Sequence, residues 1–253
     1  ALDHAVATQH MSHSDAASLR GKLYFACTQA FGRVGRAALQ SLVARQYSLE
    51  TQLDDGLRAS ISFFQQFIEH ADYIPRTYSI DASSLPPIFI WTDASWENNS
   101  GHMGVVLFVP ELQRFFYAHA AVPSWMQNKW VASMQKIGQA EILAAILPYL
   151  SLPAYVFRRR NVIHFVDNTS AINAILNGYS KAPDSAWMVN IFHTANARIQ
   201  ANTWWEHVDS KANCADMPSR LDFDYVTNVL HASEFALVLD EYAGSRPAFQ
   251  WFY

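Results

Sequence analysis

Four acidic residues, Asp93, Glu141, Asp167 and Asp216, fall at comparable places in the chain. Residues 87–95 read PIFIWTDAS, in which an apolar, β-branched and aromatic run (Ile88 to Trp91) ends in Thr92-Asp93. Pro86-Pro87 before it and Asn98-Asn99-Ser100-Gly101 after it bound the run. This pattern predicts a buried strand with a carboxylate at or near its C-terminal end. Asp167 follows a second apolar run, NVIHFV at 161–166. Glu141 falls within the first turn or so of a helix predicted over 137–150, where Ile142, Ile146 and Leu150 share a stripe. Asp216 lies in a turn or short helix at 212–220, after a strand predicted over 203–208. A lone strand-end Asp is ordinarily a turn residue, but four acids at equivalent places ask for another reason. In a mixed sheet, ligands gather near strand ends. Buried carboxylates are costly unless something positive meets them, and four together repel one another. A divalent cation resolves this, and hard oxygen donors select Mg²⁺, with Mn²⁺ as a substitute, over zinc. Two such ions roughly 3.5–4 Å apart are the general arrangement for phosphodiester cleavage, one activating water and the other stabilising the leaving oxygen.

The hydrophobic patterning supplies the elements that must carry these acids. Apolar runs at 103–109 and 114–122 flank the turn Pro110-Glu111-Leu112-Gln113, a hairpin that completes a three-stranded antiparallel meander. An irregular aromatic segment, 125–130, precedes the Glu141 helix, and Pro148 sits near enough to that helix's end to kink it. A helix over 169–176 stops at Asn177-Gly178. Another spans 183–201 with Trp187, Ile191, Phe192, Ala195 and Ile199 inward. A last one is predicted over 225–239, before an aromatic tail ending QWFY. Three strands, helix, strand, two helices, strand and helix make an α/β protein, a mixed five-stranded sheet flanked by helices.

A helical segment precedes the sheet. Residues 14–46 read as helical, with Ser14 or Asp15 as N-cap, Leu19, Leu23 and Ala26 in phase, and a break at Gly32 to Gly35. Ala37, Ala38, Leu39, Leu42 and Val43 belong to the helix after the break. Residues 51–71 carry another, with Leu53, Leu57, Ile61, Phe64, Phe67 and Ile68 on one side. Asp54 and Asp55 sit in its first turn, where the helix dipole favours them. A connector at 72–87 carries three prolines and a Ser-rich patch. The expected divisions are therefore 1–48, 49–87, 88–221 and 222–253. Between Asp15 and Glu50 the chain has no acid but carries Arg20, Lys22, Arg33, Arg36 and Arg45. Two readings stand level: a phosphate-contacting surface, or a solvated face whose acidic partners lie elsewhere in space.

Composition excludes several classes. Of 253 residues, 51% are apolar and only 16% charged, which predicts a packed core and not disorder. A net charge of -4 excludes a protein that coats nucleic acid by bulk charge, so any such contact is local. Cys27 and Cys214 are far apart and lack CxxC spacing, so a structural zinc site has no support. Two reduced thiols in an intracellular protein, of cytoplasm or nucleus, are expected, with one disulfide as the alternative. No apolar run reaches membrane-spanning length, and ALDHAVATQHMSHSD lacks the basic start and apolar core of a secretion signal. That opening reads as though cut from a longer chain.

The strings WTDAS, QAEILAAI, FVDNTSAINAIL and NCADMPSR, in this order, resemble the ribonuclease H domain of retroelement reverse transcriptases. The likeness is to long-terminal-repeat and tyrosine-recombinase elements. It implies a ribonuclease H-like fold and hydrolysis of the RNA strand of an RNA–DNA hybrid, leaving a 3′-hydroxyl and a 5′-phosphate. It implies further that Asp93, Glu141, Asp167 and Asp216 hold two Mg²⁺. Upstream, SLRGKLYFACTQAFGRVGRAALQSL resembles the thumb of such a polymerase and 53–78 its connection segment, so the likeness covers 14–222. Arg20, Lys22, Arg33 and Arg36 are then expected on the hybrid's backbone. No YxDD string occurs, so the polymerase portion is missing from this chain. Many relatives carry a catalytic His in a loop before the last acid; here that loop, Asp209-Ser210-Lys211, is short. His207 nearby reads as a strand residue facing solvent or packed beside Trp205.

Several neighbours of the acids carry two readings each. Ser95, Asn168, Ser170 and Lys211 are expected to orient water or phosphate. Arg158-Arg159-Arg160 is either a phosphate grip or a solvated turn. Trp96, Trp125 and Trp130 either stack on nucleotides or belong to the core. Two rival functions remain: a catalytically silent scaffold or nucleic-acid-binding domain of this fold, and another nuclease of the superfamily. Against the second, proofreading exonucleases want a DxE pair where this chain has Asp93-Ala94-Ser95, and integrases a Glu where it has Asp216. No GxSxG elbow supports a serine hydrolase.

Overall fold

Helical patterning precedes Ile88, and apolar runs of strand length interleaved with helices follow it. The computed structural model describes residues 1–70, 85–128, 130 and 136–237. The chain divides into two compact units, Ala1–Tyr78 and Ser79–Glu241. Most of the expected connector and the end of the chain from 238 lie outside the described residues.

The first unit is helical: α1 (Leu2–Thr8), α2 (His13–Ala26), a π-type turn (Cys27–Phe31), α3 (Leu39–Gln46) and α4 (Asp55–His70). The N-cap of α2 is Ser12, not Ser14 or Asp15, because its hydroxyl accepts the Asp15 N–H and His13 is already helical. The expected break is present at Gly32 and Gly35, both at positive φ. A Cβ on Gly35 would lie 2.8 Å from the Phe64 ring, so the chain turns where only glycine fits. Along α4, Leu57, Ile61, Phe64 and Phe67 are buried as expected, joined by Phe63, whose ring stacks on Phe67 at 5.6 Å. Ile68 is instead 59% exposed, one residue's rotation beyond the buried stripe. Asp54 precedes the helix and accepts the Leu57 N–H at 2.8 Å.

The basic residues of this unit divide. Arg45 is buried, bonding Asp54 at 2.9 Å and the Gln52 carbonyl at 2.6 Å, so its partners lie outside the acid-free interval. Arg20, Lys22 and Arg33 are exposed and Arg36 is half-buried.

The second unit contains β1 (Ile88–Glu97), β2 (Ser100–Val109), β3 (Arg114–Ala121), α5 (Ser124–Gln127), α6 (Ile137–Ser151) and α7 (Ala154–Phe157). After these come β4 (Asn161–Val166), α8 (Thr169–Asn177), α9 (Pro183–Ile199), β5 (Asn202–His207), α10 (Asp216–Ser219) and β6 (Ser233–Glu234). The sheet order is β5-β4-β1-β2-β3-β6. β1, β2 and β3 form the antiparallel meander, while β4 runs parallel to β1, β5 to β4 and β6 to β3. The mixed sheet flanked by helices is therefore present, with six strands in place of five.

Two boundaries differ from expectation. β1 does not stop at Asp93 but continues to Glu97, because Asn98 and Asn99, both in the left-handed region, make a two-residue turn that pairs Glu97 with Ser100. Asp93 thus lies inside a strand and not at its end. The helix expected over 225–239 is replaced among the described residues by a π-type turn, Tyr225–Val229, and by β6. The outer edge of β3 offers unpaired backbone groups, and β6 and the Phe235 N–H, 2.9 Å from the Tyr117 carbonyl, take them up.

Period-two alternation sets which residues of β1 face which layer. Ile88, Ile90, Thr92 and Ala94 share one face, and Asp93 and Ser95 share the other, which meets α10. α6 is buried from Ala140 through Tyr149, runs on through Pro148, and packs on β1, β2 and α9. Among the described residues, no helix is long and apolar enough to cross a membrane. Cys27 and Cys214 are both free thiols.

Candidate active site

Three of the four acids meet. Asp93 from β1, Glu141 from the second turn of α6 and Asp167 directly after β4 place carboxylate oxygens within 4.8 Å of one another. Asp93 is 3% exposed and Glu141 5%, while Asp167 is half-buried. Burial, opposed by the Ser219 hydroxyl and reinforced by Asp167 and Asp216, pushes the Asp93 carboxyl up to about 7. Burial, then the charges of Asp93 and Asp167, pushes Glu141 up to about 9.

The fourth acid stands apart from this group. Asp216 opens α10, and its Oδ1 accepts the Arg220 Nε–H at 3.0 Å; Arg220 also reaches Glu97 at 3.5 Å. Asp216 still acts on the trio through its charge, raising both Asp93 and Glu141.

Sequence reading missed the residues that set this geometry. Ser219 is fully buried; its Oγ lies 2.5 Å from Asp93 Oδ2 and 2.8 Å from the Asp216 carbonyl, with one proton to share. Asn213 donates to the Thr92 carbonyl at 3.0 Å and accepts the Ala215 N–H at 3.2 Å, which ties the loop before α10 to β1 beside Asp93. Both lie in the string NCADMPSR, so the motif showed them without their roles. Ser210 donates to Asp167 Oδ2 at 2.7 Å. Gly104 faces Asp93 across the β1–β2 ladder. A Cβ there would lie 2.3 Å from the Ala215 carbonyl and 2.5 Å from Ser219 N, so glycine is what lets α10 approach the sheet.

The other expected site residues divide between structural and open positions. Ser95 is buried and donates to the Ser219 carbonyl at 2.5 Å, so it clamps α10 to β1 and does not orient water or phosphate. Asn168 caps α8 by accepting the Ala171 N–H at 3.0 Å. Ser170 and Lys211 are exposed. His207 is exposed at the end of β5, as its strand reading expects. Within the basic run, Arg160 is buried and pairs with Glu111 and the Pro86 carbonyl, which makes it neither a phosphate grip nor a solvated turn; Arg158 and Arg159 are exposed. Trp130 is buried and packs on the half-buried Trp96 at 5.9 Å, and Trp125 is half-buried.

The donor set fits a divalent cation. Glu141 Oε2 is buried without a hydrogen-bond partner, aimed among like charges, and all three donors are hard carboxylate oxygens.

No family model and no curated protein matches the chain. Among solved structures, the chain is similar to the N-terminal RNase H domain of a Mycobacterium tuberculosis protein, solved as a fusion with maltose-binding protein. That overlap has a TM-score of 0.42 at 16% identity and covers 56% of this chain and 96% of that one. It is also similar to RNase H1 of the halophilic archaeon Halobacterium salinarum, with a TM-score of 0.39 at 15% identity over 51% of this chain and 91% of that one. The mixed six-stranded sheet flanked by helices fits a ribonuclease H-like fold. Neither overlap bears on the chemistry, which rests on the acids.

Proposed function

We propose that the sheet unit is a ribonuclease H-type nuclease that hydrolyses the RNA strand of RNA–DNA hybrids with divalent metal, Mg²⁺ or in its place Mn²⁺. The observation that carries this is the convergence of Asp93, Glu141 and Asp167 from three remote segments, with carboxylate oxygens within 4.8 Å of one another. These three would hold the metal, and Asp216 would complete a second metal position on leaving Arg220. Bound metal supplies charge for the developing phosphorane and a water acidic enough to attack phosphorus in line. The side chains do the rest. Ser219 holds Asp93 by one oxygen and Ser210 holds Asp167, and the Asp93 and Glu141 carboxyls, raised by burial, would have to be ionised to hold the cation. Selection of RNA would come from 2′-hydroxyl contacts.

The four motif strings support placing this unit in a retroelement-type reverse transcriptase. In that setting Arg20, Lys22, Arg33 and Arg36 of the helical unit would contact the hybrid's phosphates, and Ser170 and Lys211 of the sheet unit would contact nucleic acid in their own right.

The test is cleavage of a labelled RNA–DNA hybrid with Mg²⁺ by wild type and by Asp93→Asn. Wild type is expected to cut the RNA strand and the variant to lose about a thousandfold, since metal charge stabilisation is worth several kcal/mol. No cleavage by either protein would favour the silent scaffold. Preference for duplex DNA or duplex RNA would move the chain to another branch of the superfamily.

A further inference from the structure

His164 is a fully buried imidazole (0% exposed) to which nothing above gives a part in the chemistry. It points from β4 into the layer between sheet and helices, its ring stacked on Trp205 at 4.4 Å and on Tyr149 at 5.8 Å. Packing alone would be served as well by a phenyl ring. The two nitrogens need another explanation, because a buried polar ring costs stability unless it is bonded. Both are bonded. Nε2 lies 2.9 Å from the Thr92 hydroxyl, and Nδ1 lies 3.2 Å from the Tyr149 hydroxyl. Burial pushes its pKa down to about 3, so the ring is neutral, with one nitrogen donating and the other accepting.

The bonds continue in both directions. Tyr149 reaches the Thr203 hydroxyl of β5 at 3.2 Å. On the other side the Thr92 carbonyl accepts from Asn213, which in turn accepts the Ala215 N–H. This line visits every element that carries one of the four acids. Tyr149 shares α6 with Glu141, His164 lies on the strand that delivers Asp167, Thr92 precedes Asp93, and Ala215 precedes Asp216. Apolar contacts are non-directional and tolerate small slides between elements. Hydrogen bonds in a low-dielectric interior do not.

We propose that His164, in register with Ile90, is a positioning residue that fixes β4 and α6 against β1 and so holds in place the elements that bring the carboxylates of Asp93, Glu141 and Asp167 together. It touches neither substrate nor metal and acts through Thr92 and Tyr149. The proposal deepens the nuclease reading and rests on it.

The experiment measures Mn²⁺ binding by calorimetry and hybrid-cleavage kinetics on the full chain, with near-ultraviolet circular dichroism reporting the fold. His164→Phe keeps the stacked ring and removes both bonds. It is expected to fold, to lose Mn²⁺ affinity and kcat by about tenfold, as outer partners of metal ligands do, and to keep KM for the hybrid within about twofold of wild type. His164→Gln, which offers both a donor and an acceptor, is expected to recover most of the loss. Thr92→Val cuts the central bond from the other side without disturbing the rings. It is expected to lose Mn²⁺ affinity to a similar extent, and the double variant with His164→Phe to lose little more. Wild-type Mn²⁺ affinity in Thr92→Val, or full additivity in the double variant, overturns the positioning role, and Thr92→Val decides the matter if His164→Phe does not fold. Wild type that binds Mn²⁺ and cuts hybrid while the variants match it sinks this inference alone. Wild type that does neither sinks the nuclease reading and takes the inference with it.

Discussion

Arg45 in the helical unit and Glu141 in the sheet unit are withdrawn from water to nearly the same degree, at 2% and 5% exposure. Their surroundings have opposite character. Arg45 meets the Asp54 carboxylate and the Gln52 carbonyl, so its charge is answered within the chain. Glu141 meets two more carboxylates. Unbonded polar atoms occur on both residues, Oε2 of Glu141 and Nε and Nη1 of Arg45, so the sign of the neighbouring charge is what differs. A buried charge with an opposite partner is architecture. A carboxyl buried among its own kind costs stability because it must hold on to its proton or repel its neighbours, and such a cost points to a counter-charge that arrives from outside.

The sharpest way to break this contrast is to neutralise Glu141. Glu141→Gln is expected to reduce hybrid cleavage on the order of a thousandfold while raising the thermal midpoint of the metal-free protein. The pH dependence carries the same sign. The folded pKa values of Asp93 and Glu141 lie above their unfolded ones, so both favour the fold at low pH. Metal-free stability therefore falls as pH rises from about 4 through about 9. Denaturant titrations across that range should show a flatter fall in Glu141→Gln and in wild type with saturating Mg²⁺. An unchanged slope in both would remove the argument from like charges.

Gly104→Ala comes next. Its methyl group would collide with backbone atoms of the α10 segment, so a loss of about 3 kcal/mol is expected in urea unfolding, at the upper end for overpacking. Cleavage should fall with it, since Ser219 would shift away from Asp93. In the helical unit the effects are smaller. Arg45→Ala is expected to cost about 1–3 kcal/mol, because Asp54 remains in water once its partner is gone. Arg45→Met, which fills the same space without charge, should stay within about 1 kcal/mol of wild type, and a larger loss would mean that the ion pair itself stabilises the unit.

The smallest effect at neutral pH belongs to His164. Its folded pKa is depressed, so its neutral form favours the fold above pH 6.5, and that contribution drains away as pH falls toward about 3. Between pH 7 and pH 6 the change is below about 1 kcal/mol. Subtracting the stability curve of His164→Phe from that of wild type isolates it, and a flat difference would mean that the ring is wetter than its burial implies.

The strand and helix pattern of the sheet unit was legible because its signals are local. Short apolar runs bounded by breaker residues mark β1 to β4, and Asn177-Gly178 ends α8 at a left-handed Gly178 as read. Three acids could be chosen from their places alone. What escaped reading depends on distant partners. For Arg45 a phosphate-contacting surface and acidic partners elsewhere in space stand level in the sequence, because Asp54 lies beyond the stretch without acids. Ser95 and Ser219 look like any serines until β1 and α10 are brought side by side. The span 225–239 has helix-like spacing at its start, yet the free edge of β3 competes for its backbone and wins at Ser233. Asp93 was read as a strand end because Asn98-Asn99 signals a break, and the break proved to be a turn so tight that the strand passes the acid by four residues.

That Asn98-Asn99 turn has a genetic consequence. Registration between the first two strands is dictated by a two-residue bend, and side chains along each strand alternate from side to side. One codon inserted or deleted within the bend would slide one ribbon past the other by a single step. Asp93 could then no longer stand opposite Gly104, and the buried side chains of the shifted strand would turn to the opposite face. Such a lesion would disturb the buried layer of the sheet and take Asp93 away from Glu141 and Asp167 together.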